Sequence, residues 1–140
     1  MQDAFEQIRS ALESYAKEKG VDLIPYLHED PIWRLGFARR VGGEAAVDLV
    51  WDEASPEQFA VRCSWWIDDY QSTMRRSVQA EAGRFSLSRP ALDLTALLDQ
   101  ALERVDGWDA DDLEVTSGPY PQWHQYFGRD DFYQTQLPVR

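Results

Sequence analysis

The sequence predicts an α+β domain: an antiparallel sheet of three to five strands with two or three amphipathic helices packed on its apolar face. Three observations carry this. Between Trp33 and Trp66 three successive runs alternate apolar and polar residues with period two, Asp3–Lys19 and Asp93–Asp106 carry apolar stripes at helical spacing, and turn residues separate the runs. At 140 residues the chain is long enough for one real core and too short for two. A single domain spanning 1–140 is therefore expected, with an aromatic-rich C-terminal segment, 118–140, folded back on it.

In the first helix Phe5, Ile8, Leu12 and Tyr15 form one stripe, with Ala4, Ala11 and Ala16 beside it. Asp3 with Glu6 reads as a capping pair, Lys17 and Lys19 lie at the negative end of the helix dipole, and Gly20 is placed to stop it. Val21 to Tyr26 reads as a short extended segment, kept from a central position by Pro25. The turn-like His28-Glu29-Asp30-Pro31 follows and reads as an exposed loop rather than a metal site.

The three alternating runs place Trp33, Leu35 and Phe37, then Val47, Leu49 and Trp51, then Phe59, Val61, Cys63 and Trp65 on one face. Arg34, Asp48, Arg62, Ser64 and Trp66 take the other. Residues opposed in an antiparallel pair share a face, so odd positions must oppose odd positions. A three-residue loop, Val41 to Gly43, then pairs Trp33 with Trp51, Leu35 with Leu49 and Phe37 with Val47. A five-residue loop, Glu53 to Glu57, sets Asp48 opposite Arg62. Cys63, the single cysteine, falls on the buried face and reads as a small core residue.

Residues 69–82 fit two periods. Tyr70, Met74, Val78 and Ala82 recur every four residues, yet the same even positions also alternate; the scarcity of β-branched residues favours a helix over a fourth meander strand. Arg84 to Ser88 then reads as a short strand. Leu94, Leu97, Leu98, Ala101, Leu102 and Val105 make a broad apolar helical face, with Asp93 as cap and Gly107 as stop. Asp109, Asp111 and Asp112 form the densest acid cluster, but Leu113 occupies the next alternate position and breaks a calcium-loop spacing. A solvated turn before a strand at Leu113 to Thr116 is the expectation. The terminal segment carries Tyr120, Trp123, Tyr126, Phe127, Phe132 and Tyr133, whereas disordered tails are poor in aromatics.

The formal net charge is −11 and unevenly spread: −4 over residues 1–30, zero over 31–90, −7 over 91–116 and zero over 117–140. Such a field disfavours nucleic acid and anionic membrane, and speeds encounter with a basic partner; its bland counterpart is a chain kept soluble by surplus carboxylates. Met1 to Ser10 lacks the basic start and apolar core of a signal peptide, so a cytoplasmic setting is expected.

Catalytic candidates are few. His28 and His124 are the only histidines, and no Gly-rich phosphate loop, CxxC pair or HExxH occurs, so no enzyme, metal or cofactor is expected. The predicted order helix, three strands, helix, strand, helix resembles that of type III secretion chaperones in element order alone. No family is assigned on that likeness; the expected function is that of an acidic bacterial binding protein that covers or escorts another protein, as small immunity proteins and secretion chaperones do. The expected partner is another protein, a basic one fitting the charge, met through Trp66, Asp109, Asp111, Asp112, Trp123, Tyr126 and Phe127. The alternative is a small-ligand or catalytic pocket between sheet and helices lined by Trp33, Trp51 and Trp65. Aromatic rows beneath amphipathic helices usually form core instead.

Overall fold

The computed structural model describes residues 2–25, 33–51, 54–55, 57–69, 74–117 and 137–140. Helix α1 (Gln2–Lys19) leads into strands β1 (Asp22–Pro25), β2 (Trp33–Ala38), β3 (Glu44–Trp51), β4 (Gln58–Asp69) and β5 (Met74–Ser86). Helix α2 (Ala91–Asp106), a 3-10 turn (Ala110–Asp112) and β6 (Glu114–Ser117) complete the order. All strands pair antiparallel in sequence order, β1-β2-β3-β4-β5-β6.

The α+β class agrees with expectation, but the sheet has six strands rather than three to five, and the described α-helices number two. The count reaches six because β1 and β6 both join the sheet; the described part of the segment read as a helix, 74–82, is not one and instead lengthens the strand expected at 84–88. Met74–Ser86 is one long strand, pairing Val78 with Trp65 and Ala80 with Cys63. Helix propensity differs by only a few tenths of a kcal/mol per residue. Without β5, the long β4 would present a row of unpaired amides and carbonyls beside a buried face, and that cost decides the outcome. With five strands between the two helices, the element order is also no longer that of the chaperones.

A register shift between Val61 and Arg62 changes the parity of β5. Val78 and Ala80 face the core on one side of it, Gly83 and Phe85 on the other. A Cβ on Gly83 would lie 2.8 Å from Leu97 Cδ1, so the bare backbone lets α2 approach the sheet closely.

The β3–β4 register is as expected, with Asp48 opposite Arg62 and Trp51 opposite Phe59. The β2–β3 register differs by two: Trp33 opposes Leu49, Leu35 opposes Val47 and Phe37 opposes Ala45. Both registers satisfy the face rule, so the turn decides. Ala38 opposite Glu44 leaves residues 39–43 as the connection, and Gly43 (φ +75°) lies against β4, where a Cβ would sit 2.3 Å from the Trp66 carbonyl oxygen.

Both helices pack on the odd-numbered face of β2–β4. Ile8, Leu12 and Tyr15 of α1 and Leu94, Leu98, Ala101, Leu102 and Val105 of α2 form one cluster with Leu35, Phe37, Val47, Leu49, Phe59, Val61, Cys63 and Trp65. Full burial of such side chains stabilises by roughly 1.5–3 kcal/mol each. The caps differ from expectation. Helix α1 already includes Gln2, so Asp3 lies within it, and Pro90 rather than Asp93 is the N-cap of α2. Pro90 has the extended ψ of a cap, while Asp93 sits in the first turn, where its carboxylate meets Arg89 at 3.3 Å.

The last four residues meet β2. Val139 forms a parallel bridge with Ala38, whose N–H donates to the Pro138 carbonyl at 2.8 Å, and Arg140 reaches Asp106 at 3.2 Å. The aromatic residues of the terminal segment, and the expectation that they fold back, lie outside the described residues, as does His28.

Two predictions follow from this packing. Gly43→Ala should lower unfolding free energy in urea by more than about 1 kcal/mol, since it meets both a positive φ and a backbone oxygen. Gly107→Ala should stay within about 0.5 kcal/mol, because Gly107 caps α2 at φ −82° with ordinary contacts; equal costs would contradict this. Burial raises the Cys63 thiol pKa, and its Sγ lies 3.5 Å from the Ala80 carbonyl. Labelling of native protein by a thiol reagent at pH 8 should therefore track global unfolding, and labelling within seconds would refute the buried placement.

Candidate functional site

On the sheet face opposite the helices, alternation brings together Arg34, Asp48, Ser64, Trp66, Asp68, Arg75, Ser77 and Gln79. Register supplies the pairs: Arg34 opposes Asp48, Asp68 opposes Arg75, and Trp66 opposes both Glu44 and Ser77. Arg34 donates through Nε and an Nη to the two Asp48 oxygens at 2.7 and 2.9 Å. Arg75 does the same to Asp68 at 2.7 and 3.0 Å. Both guanidiniums stand by the Trp66 ring, 5.4 and 5.6 Å from its centroid. The forked contacts fix each guanidinium plane and offset its charge.

Beside this half-buried indole is a depression of about 310 Å³, lined by Arg34, Ser64, Trp66, Arg75, Ser77, Val78, Gln79 and Thr116. Its rim includes a Ser77–Thr116 hydroxyl pair at 2.8 Å. Trp66 thus lies on the face that alternation assigned it.

Asp109, Asp111 and Asp112 sit in the exposed turn before β6. Asp109 Oδ1 accepts from the Asp111 N–H and Asp112 Oδ2 from the Asp109 N–H, each at 2.9 Å. Two of the three carboxylates thus stabilise their own 3-10 turn. β6 begins two residues after Asp112 and contributes Thr116 to the depression, but no described contact joins the acids to Trp66. Trp123, Tyr126 and Phe127 lie outside the described residues. Among the described residues no group of three His, Cys, Asp or Glu side chains is placed to hold a metal ion, and no helix is long and apolar enough to cross a membrane.

The tryptophan row beneath the helices packs on other aromatics. Phe59 lies 5.7 Å from Trp33 and 4.9 Å from Trp51, and Phe5 of α1 touches all three rings. Trp65 is buried, donates through Nε1 to the Gly42 carbonyl at 2.9 Å, and is covered by Arg39 at 4.2 Å. The depression beside Trp66 and a second cleft between α1 and α2 are lined by other residues.

Sequence reasoning missed the two guanidiniums flanking Trp66. Arg34 was placed on the correct face by alternation, whereas Arg75 was hidden by the helical reading of its segment. It also missed Tyr15, read only as part of an apolar stripe, whose hydroxyl donates to Asp99 Oδ1 at 2.6 Å. Burial first, then the bond to Asp99 and the charge of that carboxylate, push the phenol well above the usual tyrosine range.

No protein-family model, curated protein or solved structure matches the chain.

The raised phenol has a consequence at alkaline pH. Above the ordinary phenol value of 10.0 the unfolded chain releases a proton that the folded chain keeps, so stability present in full below that pH declines above it. Tyr15→Phe should remove that part of the alkaline slope, at a cost of about 0.5–1.5 kcal/mol at neutral pH. An unchanged slope in urea titrations at pH 9 to 11 would contradict this.

Proposed function

We propose that the protein is a binding module that recognises another protein across its sheet face around Trp66. The observation that carries this reading is the indole flanked by Arg34 and Arg75, each guanidinium held by a forked carboxylate. Tryptophan and arginine are the residue types that dominate binding hot spots. Side chains already fixed by bidentate ion pairs also lose little rotamer freedom when a partner arrives.

Charge supports a basic partner. Residues 91–116 carry eight acids and one base, and no charged side chain is buried among the described residues. A field of that sign speeds the approach of a positive surface and is screened by salt. The exposed Asp109, Asp111 and Asp112 then act on encounter, while Trp66 acts on the lifetime of the complex. The role that fits is covering or escorting the partner, with no chemistry performed on it.

The test is capture by the tagged protein from a lysate of its source at low and high salt, then kinetics with the partner obtained. Trp66→Ala should weaken affinity by roughly 30-fold or more, mainly through faster dissociation. Reversal of Asp109, Asp111 and Asp112 to Lys should slow association at low salt and leave dissociation nearly unchanged. Wild-type kinetics from the Trp66 variant would overturn the proposal.

A further inference from the structure

A second concavity, of about 390 Å³, lies where α1 and α2 meet, across the sheet from Trp66. Ala11, Ser14, Ala91 and Thr95 give it short walls, and the buried Tyr15 lines it as well. At its margin stands Leu92, 77% exposed in the first turn of α2. A large apolar side chain so exposed beside a cleft of small residues offers a seat for another apolar group.

The polar groups of the cleft centre on Asp99. Asp99 Oδ1 takes the Tyr15 hydroxyl at 2.6 Å and lies 3.5 Å from the Lys19 ammonium, which also stands 5.7 Å from the Tyr15 ring centroid. The Asp99 side chain is 55% exposed, and Glu18 lines the opposite wall. Along α2 the face continues from Leu92 and Thr95 through Asp99 to Glu103 and Asp106, spacings of three, four and four, then three residues. It runs from apolar to acidic.

We propose that this cleft docks a short basic amphipathic segment of a partner protein. An apolar side chain of the segment lies on Ala11, Ala91 and Leu92, and a lysine or arginine reaches the Asp99 carboxylate and Glu18. Leu92 and Asp99 are seven residues apart on one helix, about 10 Å at 1.5 Å per residue. The segment therefore presents its apolar anchor and first basic group about 10 Å apart, as positions i and i+7 of a helix do. The inference rests on the protein-binding reading only in making the occupant a protein segment. Its site is separate from the Trp66 face, so either can fail alone.

The probe is a synthetic 14-residue amphipathic peptide of leucine and lysine, titrated into the full-length, isotope-labelled protein and followed by NMR. A matched peptide with glutamate for lysine is the control. Shifts should concentrate at Ala11, Tyr15, Leu92, Thr95 and Asp99, and the glutamate peptide should produce none. Leu92→Glu and Glu18→Lys, both at exposed positions and each checked for an unchanged melting temperature, should each weaken binding at least tenfold. Trp66→Ala should leave it unchanged. Full affinity in both cleft variants, shifts centred on Trp66, or a self-associating protein in which a second copy covers Leu92 would each overturn the proposal.

Discussion

The ladder between β4 and β5 holds both faces of the sheet in place. These strands pair at twelve positions, from Gln58 with Ser86 to Asp69 with Met74. Because side chains alternate, the ladder determines both faces at once. Inward it lines up Phe59, Val61, Cys63 and Trp65 with Phe85, Gly83, Ala80 and Val78, the surface on which α2 lies. Outward it sets Trp66 beside Ser77 and Asp68 beside Arg75, which makes the forked ion pair and the flanked indole geometrically possible. A slip of one residue would bury Trp66 and expose Trp65.

A second set of interactions holds the helical layer to that sheet. The carbonyls at the end of α2 carry the negative end of its dipole. Arg39, at the β2–β3 connection, donates to the Trp108 and Asp106 carbonyls at 2.9 and 3.4 Å while stacking over Trp65. Arg140 adds its contact to the Asp106 carboxylate. The end of α2 is thereby tied to the same β2–β3 turn that Gly43 seats against β4. The acidic turn that follows starts from a fixed point and delivers the chain into β6. At the other end of the layer, the Tyr15–Asp99 bond joins the two helices and orients the carboxylate on which the cleft proposal turns.

Much of this architecture is legible in the sequence, and what is not has physical causes. Alternation placed the faces of β2, β3 and β4 correctly because one side of each is buried, and Asp48 opposite Arg62 followed from a turn of adequate length. Parity cannot separate registers that differ by two, so the β2–β3 pairing was settled by Gly43 packing on β4, a contact that sequence patterns do not report. In β5, Met74, Val78 and Ala82 satisfy spacings of both four and two. Only the need of β4 for a partner separates them. The same misreading concealed half of the site, since Arg75 can be seen beside Trp66 only once its segment is a strand. Tyr15 and Asp99 are 84 residues apart, and nothing local in either helix announces their bond.

Residues 74–86 form a strand whose register on β4 creates both the core seat of α2 and the Trp66 site, and NMR can read that pairing residue by residue. Cross-strand Hα–Hα contacts should connect 61–69 with 74–83, and the β4 amides should exchange as slowly as global unfolding allows. Sequential amide–amide contacts through 74–82, with rapid exchange along β4, would show a helix there and would contradict the account.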